Sequence, residues 1–245
     1  MSGRTLLGVW AHPDDEAYLS AGLMLEFTSR GDRVVVITAT LGEHGTDLPE
    51  TWPPAALAAH RREELRESLA AVGVHELHLL GFEDGRCHAE DGTDAIAAHI
   101  ASVRPDVIVT FGPDGMTGHS DHRAVSAWTT DAWIATGCTA ELWYATLTPE
   151  FHARWHDLHT EIGLWTDQPA PPRTGTDEIC HAVVLTGRLL DRKMAALAAH
   201  RSQTAPLAAM VGATRYRDWW STETFRAAAV RSRADTWHDL EVVSS

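Results

Sequence analysis

A chain of 245 residues with 44% hydrophobic and 22% charged residues carries enough apolar material for one sizeable core. Its net charge of -14 argues against nucleic acid or an anionic membrane surface as a partner, because both attract basic patches. Three dispersed cysteines, Cys87, Cys138 and Cys180, make neither a disulfide framework nor a Cys-x-x-Cys metal knuckle.

The apolar run at residues 5–11 is too short for a secretion signal or a membrane helix, so a cytoplasmic protein is expected. That run opens an alternation of apolar and amphipathic stretches through the first 145 residues. Strands are predicted at 6–11, 33–40, 76–80, 107–111 and 141–145, with helices at about 16–30, 54–72, 93–103 and 121–135. In the second helix Leu57, Leu65, Leu69 and Val72 share one face, with Arg61, Arg62, Glu63 and Glu64 between them. Gly31 and Gly73 mark helix stops. Farther on come a proline-rich loop at 168–175, a strand at 182–185, a helix at 188–201, a helix near 219–231 and a short strand near 240–243.

Strands alternating with helices predict an α/β, Rossmann-like fold, a mostly parallel sheet with helices on both faces. The expected organisation is a single domain over 1–245, with the core sheet at about 5–145 and a C-terminal elaboration at about 146–245. Ligands of such sheets bind beyond the carboxyl ends of the strands, where the strand order reverses. No Gly-x-Gly-x-x-Gly follows the first strand, so a dinucleotide has no phosphate cradle.

Two clusters follow predicted strands: His12-Pro13-Asp14-Asp15-Glu16 and Gly118-His119-Ser120-Asp121-His122. His12 and Asp15 sit three apart at a strand-to-helix turn, and His122 can supply a third ligand. Two imidazoles and a carboxylate leave a coordination position open, as in catalytic rather than structural zinc sites, and iron(II) suits the same donors. Asp14 is then placed to act as general base, and His119 to donate a proton or stabilise an oxyanion. Asp121 is placed to orient His119.

The two clusters resemble those of the PIG-L/LmbE-like zinc-dependent deacetylases, which include bacterial N-acetylglucosamine and mycothiol-pathway deacetylases. Thr40-Leu41-Gly42-Glu43, Arg62-Glu63-Glu64-Leu65 and Ala199-His200-Arg201-Ser202-Gln203 extend the resemblance over nearly the whole chain. It implies Zn2+ on His12, Asp15 and His122, Asp14 as base, and His119 with Asp121 on the acid side. It also implies hydrolysis of an N-acyl amine, an amino sugar or its conjugate. An amidase of thiol conjugates, a natural-product tailoring deacylase, and a binding protein without turnover are the alternatives. The sequence departs from the family at Ser120, where proline is common, and at Thr117, where mycothiol-pathway deacetylases carry a tyrosine near the substrate carbonyl.

Glu43, Arg62 and Asp84 are the candidates for gripping substrate hydroxyls, through charge-assisted hydrogen bonds. Trp10 and Trp52 suit stacking on a sugar face or an acyl group. Trp219-Trp220 suits either a buried core or a contact between copies in a homo-oligomer.

Overall fold

The computed structural model describes residues 3–164 and 173–229. Its first strand, β1 (Thr5–Trp10), is almost wholly buried and pairs in parallel with β2 (Arg33–Thr38) on one side and β4 (Val107–Phe111) on the other. β3 (Glu76–Leu79) extends the sheet beyond β2, and β5 (Glu141–Thr146) beyond β4, both in parallel. Apolar runs such as Arg33–Thr38 suit this setting, because a central parallel strand is covered on both faces.

The C-terminal part joins the same sheet. β6 (Ile179–Val184) and β7 (Thr222–Ala227) are antiparallel to each other, and β7 pairs antiparallel with β5, giving the order β3-β2-β1-β4-β5-β7-β6. The predicted helix near 219–231 is therefore corrected over most of its length. Trp219 closes a helix at Ala213–Trp219, and Thr222–Ala227 is extended. The deciding pattern is an alternation of period two: Glu223 and Phe225 point inward while Thr222, Thr224 and Arg226 are more exposed. The expected strand near 240–243 and most of the loop at 168–175 lie outside the described residues.

The helix predicted at 16–30 is divided into α1 (Asp15–Leu19) and α2 (Ala21–Ser29) by Ser20, whose φ of -146° is not helical. The break frees the first amides of α2, and the carboxylate of Glu223 takes those of Gly22 and Leu23 at 2.7 and 3.0 Å. An anion at a helix N-terminus satisfies donors that have no partner within the helix.

The remaining helices cover the sheet: α3 (Pro54–Ala71), α4 (Thr93–Val103), the single turn α5 (Gly115–Gly118), α6 (Ser120–Ala135), α7 (Pro149–Glu161), α8 (Gly187–Ala199), α9 (Arg201–Val211) and α10 (Ala213–Trp219). Among the described residues no helix is long and apolar enough to cross a membrane.

Candidate active site

The strand order reverses between β1 and β4, and the loops leaving their carboxyl ends carry the two clusters. The first cluster occupies the turn into α1. The second lies at the start of α6, where the His119 side chain caps the helix by accepting from the Asp121 amide at 3.2 Å. The imidazoles of His12 and His122, 110 residues apart, meet with Nδ1 of His12 3.1 Å from Nε2 of His122. Asp15 completes the group, with Oδ1 3.4 Å from Nε2 of His122 and Oδ2 3.6 Å from Nδ1 of His12. The Asp15 carboxylate is pinned by the His12 amide, which donates to Oδ2 at 2.8 Å.

The nearest neighbours of the outer nitrogens of these two rings are acceptors. Nδ1 of His122 lies 3.0 Å from the carbonyl oxygen of Gly115. Nε2 of His12 lies 3.1 Å from Asp84 Oδ1 and 3.3 Å from Asp121 Oδ2. Each outer nitrogen therefore carries the proton, and in the neutral rings the inner nitrogens present lone pairs to one another. A proton on Nδ1 of His12, which its acidic neighbours favour, bridges the two nitrogens at 3.1 Å, and a bound cation would take the place of that proton. Ligands about 2.0–2.2 Å from a tetrahedral zinc lie roughly 3.3–3.6 Å from one another; the two Asp15 spacings, 3.4 and 3.6 Å, fall in that range and the His12–His122 spacing, 3.1 Å, is shorter. His119 also comes within the reach of a common ion with His12 and His122, and Asp84 and Asp121 do so with His12.

Buried carboxylates dominate the electrostatics. Burial acts against the charged form of Asp15, but His122 and His12 outweigh it and hold its pKa down to about 2. The same opposition, settled by the hydrogen bond with His12, takes Asp84 to about 2. Burial also disfavours a charged His12, yet Asp121, Asp15 and Asp84 raise its pKa well above the ordinary imidazole value. His122 moves down, chiefly through burial. His119 moves down for the same reason, with the charge on His12 adding to it.

Asp14 sits beside this group with a φ of 109°, a conformation a non-glycine residue keeps only where its surroundings enforce it. The enforcing contacts are visible. Glu16 Oε2 accepts from the Asp14 amide at 2.9 Å. The Glu16 carboxylate is in turn fixed through Oε1 by Ser68 Oγ at 2.8 Å and His200 Nε2 at 2.7 Å. Arg61, 3% exposed, donates to the carbonyls of Pro13 and Gly42 at 2.5 and 2.8 Å and contacts Asp14 Oδ2 at 3.3 Å. Gly42 must be glycine for this, because a Cβ there would lie 1.8 Å from Arg61 Nη1. Burial raises the Asp14 pKa to about 6 against the pull of Arg61. That places a carboxylate near the range suited to a general base at neutral pH.

Several expected contacts differ from those observed. Arg62 is exposed on α3, whereas Arg61 enters the site. Arg61 is four residues after Leu57 and four before Leu65, so helical spacing puts it on the buried stripe. Asp84 reaches the site but binds His12 through Oδ1 and the His44 amide through Oδ2, at 2.9 Å. Glu43 accepts from the Asp84 amide at 3.0 Å and so braces the loops after β2 and β3. The Asp121 carboxylate accepts from the amides of Gly85 and Cys87 at 2.7 and 3.1 Å and faces His12; its hydrogen bond with His119 runs through its backbone amide. Thr117 Oγ1 lies 3.3 Å from Nδ1 of His122. Trp10 is fully buried edge-on against Phe111 and has no face open to a ligand.

Known proteins place this arrangement in context. Residues 7–133 match the family described as PIG-L, GlcNAc-PI de-N-acetylase. The chain is 32% identical over 234 residues to a 1D-myo-inositol 2-acetamido-2-deoxy-alpha-D-glucopyranoside deacetylase of Mycolicibacterium gilvum (strain PYR-GCK), covering 81% of this chain and 80% of that one. Among solved structures, N,N'-diacetylchitobiose deacetylase from Pyrococcus horikoshii superposes with a TM-score of 0.63 at 20% identity, covering 95% of this chain and 88% of that one. A deacetylase of the teicoplanin biosynthesis pathway superposes with a TM-score of 0.65 at 15% identity, covering 93% and 100%. The two structures share the fold, and the family match together with the M. gilvum relative establishes that this chain belongs to the PIG-L family.

Proposed function

We propose that the chain is a metal-dependent N-deacylase that hydrolyses the amide of an N-acylated amino sugar or its conjugate, with His12, Asp15 and His122 holding the metal. The convergence of the inner nitrogens of His12 and His122 with the Asp15 carboxylate carries the reading. The M. gilvum relative, named for an N-acetylated glucosamine–inositol substrate, supports the substrate class. Zinc suits two imidazoles and a carboxylate, and iron(II) is the alternative.

A divalent metal held by His12, Asp15 and His122 would supply Lewis acidity toward the amide carbonyl and the attacking water. Asp14 takes the proton of that water as its oxygen bonds to the carbonyl carbon. Because Nδ1 of His119 accepts from the Asp121 amide, the proton of the neutral ring lies on Nε2. His119 donates there toward the oxyanion or the leaving nitrogen. When the C–N bond breaks, the amine leaves with a proton returned from Asp14 or His119, and the acyl group leaves as the acid. Asp84 and Asp121 fix the His12 ring so that Nδ1 points inward.

Two measurements test this. Release of free amine from N-acetylated amino sugars is expected with zinc- or iron(II)-loaded protein, to disappear on chelation and to return with added metal. Absence of amine release across metals and sugars would refute the proposed activity. An Asp84→Asn protein is expected to bind metal about 10- to 100-fold more weakly, read by competition with a chromogenic chelator. A raised KM with unchanged metal affinity would instead return Asp84 to the role of a substrate contact.

A further inference from the structure

A cavity of about 230 Å³ opens beside the candidate metal ligands. Asp15, His122 and Thr117 form one end of it, and the rest is apolar, built by Leu147, Phe151 and Leu207 and by Trp219 and Trp220. The hydroxyl of Tyr18, which also lines it, accepts from the hydroxyl of Tyr216 at 3.0 Å and is the one phenol donor among the described residues of the wall. The indole nitrogens of Trp219 and Trp220 are buried and have no accessible surface, so neither offers a donor to the cavity. A hydroxyl-rich sugar in this space would lose most of its hydrogen bonds to water without replacement. The polar side chains of the site, Asp84, Asp121 and Glu43, are absent from its lining.

We infer that this cavity receives the acyl chain of the substrate, and that the chain is longer than acetyl. The inference rests on the deacylase reading above: with the amide carbonyl at Asp15 and His122, the acyl tail and not the sugar runs along the apolar wall. An acetyl methyl is about the size of one water molecule, roughly 30 Å³, and leaves most of the cavity empty. The volume accommodates about seven groups of that size, the tail of an octanoyl chain. Burial of each added methylene strengthens binding about fourfold.

The test is a chain-length series of N-acetyl-, N-butanoyl-, N-hexanoyl- and N-octanoylglucosamine, assayed with metal-loaded protein by released amine. We expect kcat/KM at least tenfold higher for octanoyl than for acetyl. Leu207→Trp and, independently, Leu147→Phe narrow the cavity and are expected to cut the octanoyl-to-acetyl ratio at least tenfold. Binding of the acid products provides a readout that needs no turnover: octanoate should raise the thermal midpoint more than acetate, and less so in the filled variants. Acetyl turned over fastest, with octanoate binding no better than acetate, overturns the inference while leaving the deacylase intact. Tighter octanoate binding without hydrolysis of any amide supports the cavity assignment and removes the catalytic reading instead.

Discussion

An Asp14→Asn protein is expected to keep its metal and to lose about a thousandfold in kcat/KM for amide hydrolysis. The substitution preserves shape and an oxygen for Arg61 to contact but removes the basic lone pair, and general bases contribute about 10²- to 10⁴-fold. A thousandfold corresponds to about 4 kcal/mol of transition-state stabilisation. His12→Ala provides the contrast, since it should lose metal and turnover together. Metal content by mass spectrometry beside single-substrate kinetics separates the two. Near-normal turnover in Asp14→Asn would remove this carboxylate from proton transfer.

Lys193→Met is expected to destabilise the fold by about 3–5 kcal/mol, the usual consequence of stranding one member of a buried ion pair. Lys193 is fully buried, with Nζ 2.6 Å from Glu223 Oε1 and 2.9 Å from the carbonyl of Tyr18. Burial pulls its pKa down and Glu223 opposes this. Without the ammonium, Glu223 keeps the Gly22 and Leu23 amides but faces the core with its charge uncompensated. For a chain of this size the loss corresponds to a fall in Tm on the order of 10 °C. The double variant Lys193→Met with Glu223→Gln should recover part of it. Denaturant unfolding measures both, and a loss below about 1 kcal/mol in the single variant would show that the pair is energetically idle.

The parallel half of the sheet was legible because its strands are continuous apolar runs, and the predicted strand at 107–111 and helix at 93–103 match β4 and α4 residue for residue. The convergence of His12 and His122 followed from the rule that places ligands at the reversal of strand order. What escaped depends on contacts distant in sequence. Ser20 divides a helix because Glu223 captures the amides beyond it. The helices at Pro149–Glu161, Arg201–Val211 and Ala213–Trp219 were not foreseen; Pro149 is tolerated at the first turn of its helix, but Pro206 lies inside the second, against its propensity. Arg61 was overlooked in favour of its neighbour although its spacing from Leu57 and Leu65 marks the buried face, because a charged residue on an apolar stripe reads as solvent-facing. His200, buried against Glu16, belongs to the support of Asp14.

The way α1 and α2 are anchored has a consequence for folding. His200 holds Glu16 and Glu223 holds the amides of Gly22 and Leu23, so α1 and the start of α2 depend on residues 184 and about 200 positions farther along the chain. The loop bearing Asp14 therefore has these braces only once residues 200 and 223 have joined the fold.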